Sequence, residues 1–125
     1  MTNLSRRTFV RAVAGLGGVG AVALLAGCQG APEIVPSDDH AEDIGAVVLI
    51  GDNYYEPESV TIRAGQAVRW EWVGRERHDV VANDRSFVSA LMPEGEYTHI
   101  FEDAGEFPYV CSIHPEMRGI VTVES

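Results

Sequence analysis

The chain has 125 residues, room for one domain of ordinary size, and carries 19 Asp and Glu against nine cations, every one of them arginine. Three of those arginines lie within the first eleven residues and no acid precedes Glu33, so removing residues 1–27 leaves six arginines against 19 acids, a net charge of −13. Such a surface repels phosphate backbones and excludes nucleic acid as a partner. Its self-repulsion fades at high salt, where the Debye length falls to roughly 3 Å at 1 M, so this composition suggests a saline, halophilic setting.

Residues 4–11 read LSRRTFVR, and a glycine-rich apolar run from Ala12 to Gly27 follows and ends at Cys28. That uncharged run is shorter than the roughly 20 residues a membrane-spanning helix needs. Gly15, Gly17, Gly18 and Gly20 weaken it further as a helix. A charged start, an apolar middle and a small-residue end describe an export signal. The pair Arg6-Arg7 resembles the twin-arginine export motif, and Leu25-Ala26-Gly27-Cys28 resembles a lipobox. The expectation is a signal over residues 1–27 and a mature protein anchored to the outer face of the cytoplasmic membrane by a lipid on Cys28. An uncleaved anchor would leave the remainder on the same side. With Cys28 so used, Cys111 has no disulfide partner, and a lone thiol in an oxidising compartment needs burial or a metal.

Residues 28–44, which contain two prolines and five acids from Gln29 onward, read as a lipid-anchored, acidic, flexible linker. His40 within it reads as a solvated residue. From residue 45 to 125 the texture changes to short apolar runs separated by turn residues. The runs are Ala46–Ile50, Val60–Ile62, Val68–Trp72, His78–Ala82, Glu96–Phe101, Glu106–Cys111 and Gly119–Val123, and Trp70 and Trp72 share one strand face. No three-turn helical pattern interrupts them, although Arg85–Leu91 has room for one short turn. Some seven or eight strands in this length predict an all-β, antiparallel sandwich or barrel. So small a core gains from a metal or another staple.

The stretch YVCSIHPEMRG places Cys111, His114 and Met117 at intervals of three. A thiolate, an imidazole and a thioether form a soft donor set that suits copper, and methionine is a poor partner for zinc. A mononuclear electron-transfer site of this kind needs a second histidine. His78 follows a turn and opens an apolar segment, so it sits at a strand end where a neighbouring loop can meet it. His99 lies mid-strand and reads as solvated. His78 is therefore the favoured fourth ligand.

The frame FPYVCSIHPEMRGIVTV resembles the ligand loop of cupredoxins, the small blue copper proteins, with the short spacing of amicyanins in place of the longer one of plastocyanins. The stretch YYEPESVTIRAGQAVRWEW is similar to that family's N-terminal motif, and His78-Asp79-Val80 matches its first-histidine position. With an export signal and lipobox on an acidic domain, the chain resembles the halocyanins in particular.

The resemblance covers residues 46–124. It implies a Greek-key β-sandwich and one copper ion held by His78, Cys111, His114 and axial Met117. It further implies a non-enzymatic carrier of single electrons. Its partners would be membrane-bound or surface redox proteins of cytochrome or oxidase type, and it would act as a monomer. One position departs from the pattern. The family commonly has asparagine after the first histidine, and here Asp79 can accept a hydrogen bond from Ser112 but cannot donate one. Copper storage or delivery with the same ligands is the alternative. A thiol enzyme using Cys111 with a histidine base, or an adhesive domain whose loop is only a turn, leaves the methionine or the spacing idle.

Overall fold

The computed structural model describes residues 32–125. The expected export signal over residues 1–27 and the expected lipid attachment point Cys28 lie outside the described residues. Eight strands follow in chain order: β1 (Ile44–Ile50), β2 (Tyr55–Glu56), β3 (Ser59–Arg63), β4 (Ala67–Trp72), β5 (Val81–Ala82), β6 (Glu96–Ile100), β7 (Gly105–Cys111) and β8 (His114–Glu124). They form two four-stranded sheets, ordered β2-β1-β4-β6 and β3-β8-β7-β5. No helix occurs among the described residues, and Arg85–Leu91 contributes a turn in which Arg85 has φ 64°.

The β-sandwich is as expected, but its sheets are mixed where an antiparallel arrangement was expected. β1 runs parallel to β4, and β3 runs parallel to β8. The reason is that the chain leaves the first sheet after β2, forms β3 in the second, and returns as β4. Neighbours in one sheet are thus separated by a crossing to the other, and no hairpin dictates their direction. Side-chain alternation reports which face a strand buries, never which way it runs.

Alternation does place the core. Val48 and Ile50 of β1, Val68, Trp70 and Trp72 of β4, and Tyr109 and Cys111 of β7 all point between the sheets. Trp70 stacks on Phe87 at 5.4 Å between ring centroids and meets the Tyr109 ring edge-on at 5.4 Å. Tyr109 needs Gly119 opposite it on β8, where an added Cβ would lie 2.4 Å from the phenol oxygen.

The linker departs from its expected form. Residues from Glu33 onward belong to the same compact unit as the sandwich, with Val35–Asp38 held against Val88 and the free edge of β6 and Asp43 O accepting the Ala67 amide of β4. Val35 N–H donates to Val88 O and Asp38 N–H to Thr98 O, while Tyr97 Oη donates to Val35 O. Ser37 Oγ and Asp38 Oδ2 accept the β6 amides of Thr98 and Ile100 at 3.0 and 2.8 Å. Composition suggested disorder because few apolar side chains are present. Edge docking needs none of them, since main-chain groups and short polar side chains satisfy the exposed ladder.

This edge segment also changes the reading of His99. It is not solvated but half-buried between Phe87 and Phe101, and its Nδ1 lacks a hydrogen bond, with Asp38 Oδ2 at 3.7 Å. Burial lowers its pKa below the usual 6.5, opposed by the charges of Asp38 and Asp84. As pH falls, the unfolded chain therefore takes up this proton before the folded one does. The stability held above pH 6.5 declines below it and levels off once pH has passed the folded value. Urea titrations of His99→Gln are expected to show a shallower loss over that window. An unchanged slope would remove His99 as its source.

Candidate metal centre

His78, Cys111 and His114 converge at one end of the sandwich, with one donor atom from each within 4.8 Å of the others. Cys111 Sγ lies 3.9 Å from His78 Nδ1 and 3.8 Å from His114 Nδ1. Two metal–donor bonds of about 2.0–2.3 Å, opened somewhat beyond the tetrahedral angle, span about 3.5–4 Å. The three donors thus stand where atoms sharing a single ion stand. Met117 is 2% exposed and packs in the same apolar cluster as Cys111. A thiolate, two imidazoles and a nearby thioether fit copper by donor chemistry.

Each donor is positioned by a different piece of the fold. Cys111 ends β7 and His114 begins β8, so the tight turn at Ser112-Ile113 sets their separation. β8 starts at His114, earlier than the Gly119 that the apolar run indicated, so the ligand loop is shorter and stiffer than the sequence implied. Met117 follows on β8, at an inward-facing position.

His78 belongs to no strand, and its backbone is held from two sides. It exchanges both hydrogen bonds with Met92, at 3.0 and 3.1 Å, and its carbonyl also accepts the indole N–H of Trp72 at 3.0 Å. Trp72 therefore orients a ligand as well as filling the core, a role the sequence reading did not give it.

Asp79 next to it is 95% buried and grips the other side of the site. Its two carboxylate oxygens accept Ser112 N–H at 2.7 Å and Ser112 Oγ–H at 2.6 Å. Tyr55 Oη donates to the Asp79 carbonyl at 2.7 Å. The segment carrying His78 is thereby tied to the loop carrying Cys111 and His114. The sequence pointed to the Asp79–Ser112 contact; Tyr55 and Trp72 gave no signal, because core aromatics look alike whichever carbonyl they meet.

Cys111 is a free, fully buried thiol, and its burial raises its pKa, partly offset by neighbouring backbone N–H groups. A metal binding there must therefore displace a proton that burial favours keeping. His40 is exposed and His99 sits beside Phe101, so neither joins the cluster. The edge of the site is apolar and open: Ile113 is 46% exposed, Pro115 is exposed and His114 is half-buried.

Residues 19–123 match the model of the Cupredoxin-like domain. The chain is 33% identical to an amicyanin from Paracoccus versutus, over 72% of each chain. It is 30% identical to a halocyanin from Natronomonas pharaonis, over 99% of this chain and all of the relative. Among solved structures, a purple cupredoxin from Nitrosopumilus maritimus superposes with a TM-score of 0.59 at 28% identity, covering 63% of this chain and 99% of the other.

Proposed function

Because this chain belongs to the cupredoxin-like family of blue copper electron carriers, we propose that it carries single electrons between redox proteins while tethered to the outer face of the cytoplasmic membrane. The observation that carries this reading is the convergent donor set, buried except for the half-buried His114: Cys111 with His78 and His114 at 3.9 and 3.8 Å, and Met117 in the same apolar cluster as Cys111. Copper bound there supplies a one-electron couple, and four protein ligands leave no open position for a substrate. Enzymatic turnover at this site is accordingly not part of the proposal.

The chain's own residues do the rest. Cys111 provides the covalent path from the site into β7. Tyr55, Trp72, Met92 and the Asp79–Ser112 clamp fix the donors before any metal arrives. A frame pinned in this way moves little when the charge at its centre changes by one, which keeps the barrier to transfer low. Ile113 and Pro115, flanking the half-buried His114, form a small apolar rim on which a cytochrome or oxidase-type partner docks transiently. Export by the Arg6-Arg7 signal and a lipid on Cys28 keep the domain near such partners.

The test is repeated electrochemical cycling of the copper-loaded domain with metal content assayed after each cycle. A carrier retains one copper per chain through many cycles. Loss of copper on each reduction, with transfer to a competing Cu(I) chelator, would favour a storage or delivery protein.

A further inference from the structure

The loop between β1 and β2 carries an acid that the ligand set does not use. Asp52 Oδ1 lies 3.3 Å from His78 Nε2, the ring nitrogen turned away from Cys111. The same oxygen accepts the backbone N–H groups of Arg75 and Glu76 at 2.8 and 3.0 Å. The turn receives the carboxylate only because residue 74 is glycine: a Cβ there would come within 2.3 Å of Asp52 Oδ1. An oxygen that already accepts two amide N–H groups acts as an acceptor toward the ring as well, so the nitrogen facing it carries the ring proton. His78 Nδ1 is then left with its lone pair directed toward the Cys111 sulfur. His78 is fully buried, so no water competes for this choice.

We propose that Asp52 is a positioning residue for the metal centre: it fixes His78 in the Nε2–H tautomer and strengthens Nδ1 as a donor, so that this ligand is aimed and chemically ready before copper arrives. The arrangement is a carboxylate–histidine–metal relay in which the carboxylate is supplied from a different loop than any ligand. Among the described residues, His114 makes no hydrogen bond to a carboxylate, so the two histidines are unequal donors. The inference rests on the copper reading above for its consequence but not for the Asp52–His78 geometry.

Two variants test it. Asp52→Asn keeps an oxygen for the Arg75 and Glu76 amides and removes the charge, whereas Asp52→Ala removes both. Nitrogen-15 NMR of the metal-free protein is expected to show a slowly exchanging His78 Nε2 proton in the wild type. In Asp52→Ala that signal is expected to vanish into exchange, with a mixture of tautomers. Copper(II) affinity is expected to fall on the order of 10–100-fold in Asp52→Ala and by less in Asp52→Asn. A His78 tautomer and Nε2 proton signal unchanged in Asp52→Ala overturns the proposal whatever happens to affinity, because Asp52 then only braces the turn at Gly74. If the wild type bound no copper, the function proposed above would fail while the NMR result still decided the Asp52–His78 contact.

Discussion

Cys111→Ser is expected to abolish the intense visible absorption of the copper(II)-loaded protein while leaving the sandwich folded. The colour arises from charge transfer out of a thiolate, and Cys111 is the buried free cysteine beside the two imidazoles. A serine hydroxyl at the same place is a hard, neutral donor that does not ionise at neutral pH. Copper(II) held by the histidines alone would give only weak bands. Affinity should drop by more than the 10–100-fold typical of losing a residue that merely supports a ligand. The substitution is nearly isosteric, so the metal-free variant should melt within a few degrees of the metal-free parent. The readouts are an absorption spectrum and a copper titration. A variant that stays intensely coloured would refute a Cys111 thiolate bond and with it the reading of the site.

The second large effect concerns Asp79. Both of its oxygens accept from Ser112, so it holds the ligand loop as an anion 95% buried beside the centre. Asn in its place can still accept the Ser112 amide and can donate to the hydroxyl, which preserves the clamp and deletes one negative charge. That charge favours the more positive oxidation state. At an effective dielectric constant near 20, two unit charges roughly 8 Å apart interact by about 2 kcal/mol, on the order of 90 mV for one electron. Asp79→Asn is therefore expected to raise the reduction potential by that amount with the colour retained. Asp79→Ala should raise it as well, and should also lower stability by about 1–3 kcal/mol through the unpaired Ser112 amide. Voltammetry of the two variants separates charge from bracing. A potential unmoved in Asp79→Asn would mean that solvent screens the carboxylate despite its burial.

Much of this site was legible in the sequence because ligands must be particular elements at particular spacings. Cys111, His114 and Met117 fall within seven residues on either side of one tight turn, and their chemistry is local. His78 was harder, since its pairing with them is set by a contact between distant segments. What placed it was its position at the head of an apolar run. Strand positions were legible through alternation, and strand directions were not. The residues that hold the ligands were mostly hidden. Trp72, Tyr55 and Asp52 act through carbonyls and a ring nitrogen brought close only by the fold, and nothing in their immediate sequence distinguishes them from core or surface. The acidic segment before β1 misled for a related reason. Its composition lacks a hydrophobic face, but it docks by main-chain hydrogen bonds that composition does not report.

That docked segment has a consequence for range of action. A leash running free from Cys28 to Ile44 would let the domain roam roughly 50 Å when pulled straight. With Val35 hydrogen-bonded to Val88, the seven residues from Cys28 to Ile34 set an upper bound of about 25 Å on the distance between a lipid on Cys28 and that anchor point. A lipid at Cys28 would then confine the carrier to a shell about one small-protein diameter deep. Halving the radius cuts the volume searched about eightfold and the membrane area within reach only about fourfold, so the local concentration of membrane partners about doubles. Soluble acceptors beyond that shell would have to come to it.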